Sequence, residues 1–187
     1  MDIEGVFDYY RELLTLHNPR AGMVLKTDCF NEGIDDFRHI WGALDPDRTV
    51  YLEIDGDTID KAKVAHPEGD YRQGDIRKLP FDDVAFSAIF DLSTIDHVPP
   101  SDTGVVLSEY HRTLMPGGKL VLVAWCAEER KDEPVDWGGP QYFLYEADIV
   151  EGLRGFQVCH REVIHHGEGV YLVNFVAERT CDGGSRV

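Results

Sequence analysis

The 187-residue chain is short of cationic side chains: 18 Lys and Arg stand against 35 Asp and Glu, a formal charge of −17. Such a surface repels a phosphate backbone, and no Lys/Arg cluster offers a local exception, so no nucleic-acid partner is expected. Cysteine is sparse too. Cys29, Cys126, Cys159 and Cys181 are scattered with no CxxC pair, which argues against a disulfide framework or a zinc site and for free thiols. No apolar run approaches the roughly 18 residues that cross a bilayer. The opening MDIEGVFDYYRELL carries acids where a secretion leader is basic. These absences predict a cytoplasmic protein with no membrane partner.

Repeats, low-complexity tracts and Pro/Gly-rich linkers are missing as well. With 43% hydrophobic and 11% aromatic residues, the composition is that of a globular domain with a real core. The expected organisation is one domain over residues 1–180, followed by a frayed tail at 181–187.

What is present is an alternation of short apolar strands and helical patterns. Residues 5–16 read as an opening helix and 23–27 (MVLKT) as a buried strand. From 31 to 44, Ile34, Phe37, Ile40, Trp41 and Leu44 share one helical face, with Asn31 as N-cap. TVYLEI (49–54) is the next strand, and residues 57–64 form a helix after it. A short strand follows at 70–73, then the mostly apolar FSAIFDL (86–92), a helix at 101–114, and KLVLVAW (119–125) after a Pro116-Gly117-Gly118 stop. A polar connection leads to a short helix at 145–153. The closing strands 156–164 and 169–178 are joined by a short turn, which makes them an antiparallel hairpin. The predicted fold is therefore α/β: a Rossmann-like, mixed seven-stranded sheet with helices on both faces and a C-terminal antiparallel hairpin. In such sheets ligands bind beyond the carboxyl ends of the strands, near the point where strand order reverses. A dinucleotide oxidoreductase is disfavoured, because GxGxxG is absent after the first strand.

Several stretches carry a family pattern. EIDGDTIDKAK (53–63), GDIRKLPFDDVAFSAIFDLSTIDHV (74–98) and EYHRTLMPGGKLVLVAW (109–125) occur in a fixed order and spacing over nearly the whole chain. In these the sequence resembles class I S-adenosylmethionine-dependent methyltransferases, particularly their minimal small-molecule branch. The resemblance implies S-adenosylmethionine as cofactor and a small-molecule acceptor. It places Glu53 on the ribose hydroxyls, Ile54 against the adenine, and Asp75, with Ile76 after it, at the adenine-contacting acid. Asp91, at the end of an apolar strand, faces cofactor or acceptor. The first motif departs from the family: VLKTDCFNEG puts Lys26 at an acidic position and Asp28, Phe30 and Glu32 where glycines are usual. Two outcomes follow. Asp28 meets the methionine ammonium while N–H groups at Asn31 take the carboxylate, with Cys29 and Phe30 lining the loop, or the pocket is remodelled or lost.

Methyl transfer to a hydroxyl or ammonium needs a base aligned with the acceptor. His97, after the fourth strand, is the first candidate and Asp96 the second, either orienting His97 or acting itself. A capping role for His97, a solvated Asp96 and a turn role for Asp75 are the plainer alternatives. Cys29 has no basic partner in sequence and reads also as an apolar filler, while His160, His165 and His166 lack zinc-like spacing. Trp125 and Trp137 are placed to line an acceptor pocket, which the opening helix and the loops after strands four and five would form. A homodimer or a heteromeric partner stays open as a source of further pocket residues. The rival reading is a non-catalytic methyltransferase-fold protein serving as a partner or regulatory subunit.

Overall fold

The computed structural model describes residues 3–29, 40–131, 133–136, 140–167 and 169–181. Helix α1, Ile3–His17, forms because Val6, Tyr10, Leu13 and Leu14 recur at helical spacing and bury one stripe. It ends just ahead of Asn18-Pro19, where the residue before proline disfavours the helical region. Strands β1 (Val24–Lys26) and β2 (Thr49–Glu53) follow. Helix α2, Gly56–Ala65, starts where Asp55 accepts the N–H of Thr58 at 2.9 Å. Next come β3 (Asp70–Gln73), β4 (Phe86–Leu92), α3 (Thr103–Thr113) and β5 (Leu114–Ala127). The two-residue strands β6 (Val135–Asp136) and β7 (Pro140–Gln141) precede α4 (Glu146–Gly152). Strands β8 (Phe156–Gly167) and β9 (Val170–Arg179) close the chain.

Seven strands form one mixed sheet in the order β3-β2-β1-β4-β5-β9-β8. The first five are parallel, and β9 runs antiparallel to both β5 and β8. Strand order reverses between β1 and β4, which puts the ligand crevice beyond their carboxyl ends. Side chains alternate as a pleat requires. Leu25, Leu52, Ile89, Leu120, Leu122 and Phe175 pack on one face with Val106, Leu107 and Tyr110 of α3 and Ile149 of α4. Val24, Phe90, Val121, Val123, Leu172 and Val176 pack on the other face under α1. Ile59 and Ala62 of α2 join Cys29, Tyr51 and Tyr71 in a smaller cluster. The predicted mixed seven-stranded sheet, with helices on both faces and an antiparallel closing hairpin, is what is observed.

Boundaries moved where local sequence was ambiguous. The helix expected over 31–44 lies mostly outside the described residues, but its last part is corrected: residues 40–44 form turns, with Gly42 at φ 85°. Ile40 and Leu44 are still buried against the α1 face, so their apolar spacing reflects packing without helix. Pro116-Gly117-Gly118 does follow the end of α3, yet β5 already begins at Leu114. The register of β8 on β9 shifts between Val158 and His160 and again between His165 and Gly167, two bulges that kink this edge strand. No helix among the described residues is long and apolar enough to cross a membrane.

Candidate functional site

At the carboxyl end of β1 the chain turns inward. Lys26 is fully buried, and its Nζ lies 3.0 Å from both the Asp28 carboxylate and the Asp28 carbonyl. Thr27 hydroxyl bonds to Thr94 Oγ1 at 2.9 Å, and Thr94 reaches Asp28 Oδ2 at 3.5 Å. The first loop is thereby tied to the segment leaving β4. Asp28 keeps 15% of its side chain exposed at the crevice. Cys29 is buried against Tyr51, Ile59 and Ala62, so it fills the core on the α2 side and faces no crevice. Phe30, Asn31 and Trp137 lie outside the described residues.

The end of β2 stands open. Glu53 Oε1 accepts the N–H groups of Ile54 (2.8 Å) and Asp55 (3.0 Å). Its carboxylate is thus held at the strand terminus by one oxygen. Ile54 beside it is 61% exposed, unusual for a large apolar side chain next to a strand whose other members are covered. Gln73 at the end of β3 donates to the Ile54 carbonyl at 3.1 Å, and Gly74 N–H to the Glu53 carbonyl at 2.9 Å. A Cβ on Gly74 would stand 2.8 Å from Leu52 Cδ1 and 3.1 Å from Pro80 Cδ, so a side chain there would require these neighbours to shift. Asp75 next to it is engaged by Arg77 through Nε (3.0 Å), Nη2 (2.6 Å) and the backbone N–H (2.8 Å), which holds its carboxyl below the usual range. Arg77 also reaches Asp102, at 3.3 Å. Ile76 is buried in the α3-side core.

The end of β4 holds two buried acids. Asp91 spends both oxygens internally: Oδ1 accepts from the N–H of Thr94 (2.8 Å) and Ile95 (3.1 Å), and Oδ2 from the Tyr110 hydroxyl (2.6 Å). Burial still pushes its carboxyl up to about 6. Asp91 therefore locks α3 and the turn to the strand and has no exposed surface. The backbone leaves the strand through Ser93 at φ 66°, where the side chain meets the Tyr10 hydroxyl of α1.

The next residues form a 3-10 turn, Ile95–His97, which sends neighbouring side chains to opposite environments. Asp96 is fully buried and His97 is exposed. Asp96 Oδ2 accepts from Gln141 Nε2 at 2.7 Å, while Oδ1 is buried and meets no partner from another described residue. Burial lifts this carboxyl well above its ordinary range, the charge on Asp91 adds to the effect, and His97 and Gln141 oppose it. His97 Nδ1 lies 2.9 Å from the Pro140 carbonyl. Asp28, Asp91 and Asp96 thus share one end of the sheet, and all three bear on Tyr10, whose hydroxyl burial has already made less acidic. Glu53, Ile54 and Asp75 line the neighbouring strand ends. Among the described residues no cluster of His, Cys, Asp and Glu could hold a metal.

Sequence reasoning missed Gln141, Tyr110 and Thr94 as partners of these acids. Tyr110 reads as one more apolar helix position, and Gln141 sits in a polar stretch without periodicity. Nothing local in the sequence announces either contact.

Residues 38–122 match the model of a methyltransferase domain family. The malonyl-[acyl-carrier protein] O-methyltransferase of Yersinia pestis is 31% identical over 111 residues, 59% of this chain and 39% of that protein. The chain spans less than half the length of the curated relatives first matched. A solved S-adenosylmethionine-dependent methyltransferase of Methanosarcina mazei superposes with a TM-score of 0.72 at 13% identity, covering 91% of this chain and 98% of that one. Geranyl diphosphate C-methyltransferase of Streptomyces coelicolor gives 0.71 at 15% identity, covering 92% and 79%. At these identities the structural likeness concerns the fold.

Proposed function

The chain has the class I S-adenosylmethionine-dependent methyltransferase fold, and from that premise we propose that it moves a methyl group from S-adenosylmethionine to a small-molecule acceptor. The observation that carries the reading is the open end of β2. One Glu53 oxygen is anchored by backbone N–H groups, which leaves the carboxylate able to accept from a ribose diol. The exposed Ile54 beside it offers an apolar face to a purine ring. Asp28 supplies a partly exposed negative charge suited to an ammonium. These residues fit the cofactor, whose bound sulfonium supplies an electrophilic methyl.

The chain's own contribution is then alignment and proton removal. This reading takes Asp96 as the base: it is as buried as Asp91, but burial raises its basicity above that of an ordinary aspartate and its Oδ1 is uncommitted to other described residues. The acceptor atom is correspondingly an O–H or N–H. His97, exposed and joined to the Pro140 carbonyl, caps the turn and steadies the loop after β5. Asp91 acts from beneath, fixing the turn that carries Asp96. The reading takes residues 1–180 as one domain. It also takes in a cytoplasmic setting, supported by four free thiols.

The buried Lys26–Asp28 pair favours a second reading, a non-catalytic relative, because a lysine at that strand end opposes a cationic ligand. Isothermal titration with S-adenosylhomocysteine separates the two. Binding is expected, and Glu53→Ala should weaken it by about 10- to 100-fold, the worth of a charge-assisted hydrogen bond. No heat and no thermal stabilisation at millimolar ligand would sink the methyl-transfer reading.

A further inference from the structure

The turn Ile95–His97 and the chain at β7 grip each other through three hydrogen bonds. His97 Nδ1 pairs with the Pro140 carbonyl at 2.9 Å, Tyr142 N–H donates to the Asp96 carbonyl at 2.7 Å, and Gln141 Nε2 donates to Asp96 Oδ2 at 2.7 Å. Only the last engages the carboxyl group. A carboxamide has its donors on one side alone, so this bond fixes which way the Gln141 amide faces. Gln141 is 6% exposed and Asp96 wholly buried, and water is therefore a poor substitute for the bond.

Besides Gln141, His97 and the backbone N–H of Asp96 itself favour a negative charge there, while burial and Asp91 oppose it. From β4 it faces Asp91, from α1 the Tyr10 hydroxyl, and from β5 the Cys126 thiol. On its own turn His97 is the nearest cationic group when protonated, but the ring is joined to Pro140. Gln141 is the one side chain among the described residues that donates to the Asp96 carboxylate.

We propose that Gln141 is the positioning residue for Asp96: its amide pins Oδ2, favours the ionised form of the carboxyl, and leaves Oδ1 for the hydroxyl or amine of the methyl acceptor. The role of Oδ1 rests on the methyl-transfer reading above; the grip of Gln141 on Asp96 does not. A donor bonded to the charged form favours that form, so losing it makes the carboxylate more basic. The same bond ties the connection after β5 to the turn after β4, so a residue of that connection bears on the protonation of the base.

The test is a carbon-13 carboxyl NMR titration of the whole chain, with Asp96→Asn identifying the Asp96 signal. In Gln141→Leu the Asp96 midpoint is expected to move to higher pH by on the order of one unit, a tenfold change in proton affinity. Gln141→Asn, which keeps an amide but falls short of the carboxylate, should do the same if the leucine variant does not fold. Gln141→His, which retains a ring N–H donor, should recover part of the shift. A midpoint unchanged in the folded Leu or Asn variant overturns the inference. No cofactor is needed, so absent S-adenosylhomocysteine binding would sink the methyl-transfer reading and leave this titration standing.

Discussion

Val84 is held at φ 53° and is 43% exposed, and its N–H bonds to the Arg112 carbonyl at 3.0 Å. A β-branched residue is a poor occupant of the left-handed region, which costs L-residues about 1–2 kcal/mol, whereas asparagine tolerates it. Val84→Asn should stabilise the chain by about 1 kcal/mol, read as a higher urea midpoint at unchanged slope. At this scale the sequence is legible by type and not by contact. Asp91 stands out as an acid closing an apolar run, but its three partners come from Thr94, Ile95 and Tyr110, and the last is 19 residues away. The sequence ranks His97 ahead of Asp96 as base, and only the turn geometry separates a buried acid from an exposed imidazole.

Among the elements, the connection between β3 and β4 has no regular structure of its own and is held by α3. Arg112 donates to the carbonyls of Phe81 (2.8 Å) and Leu79 (3.1 Å) and pairs with Asp83 and Glu109. Glu109 in turn accepts the Leu79 N–H at 2.8 Å. Arg112→Ala removes the clasp and leaves those carbonyls to water. Amide exchange over residues 79–84 should then quicken by about tenfold or more while the β4 and β5 core stays protected. A uniform acceleration across the sheet would contradict a local role. Apart from the helix expected over 31–44, the strands and helices named above were legible, because apolar runs and helical spacing follow directly from two-sided burial. The short β6–β7 pair was not, since Val135, Asp136, Pro140 and Gln141 carry no alternation. Nor was the early start of β5, where Leu114 pairs with Phe86 before the glycine turn has finished.

For the whole molecule, protonation and net charge act in the same direction. Asp91 binds its proton more tightly folded, at about 6, than the ordinary 3.8. The folded state therefore keeps a proton that the unfolded chain releases, and stability falls as pH rises through that interval, by about 3 kcal/mol at most. Asp75, Glu109 and Glu146 are lowered by arginine partners, and their contributions are lost only as pH falls below the usual carboxylate range. Self-repulsion at −17 grows over the same rise in pH. The melting temperature should peak on the acid side of neutrality and decline toward pH 8. Salt should recover part of the loss at pH 8, and Asp91→Asn should flatten the slope between pH 4 and 6. A melting temperature that climbs steadily to pH 8 would refute this balance.

The two bulges of β8 also bear on what the molecule avoids. A sheet with open margins invites a neighbouring chain to extend its ladder, and a long straight border strand is the usual point of entry. Here one border, β3, is only four residues long. The other is long but broken near both ends, at Val158/His160 and His165/Gly167. An incoming strand would find only the short stretch between the kinks in regular register, studded with Arg161 and Glu162. The protein guards one margin by brevity and the other by crookedness, which favours colloidal solubility over fibre growth even where acid has titrated away its charge.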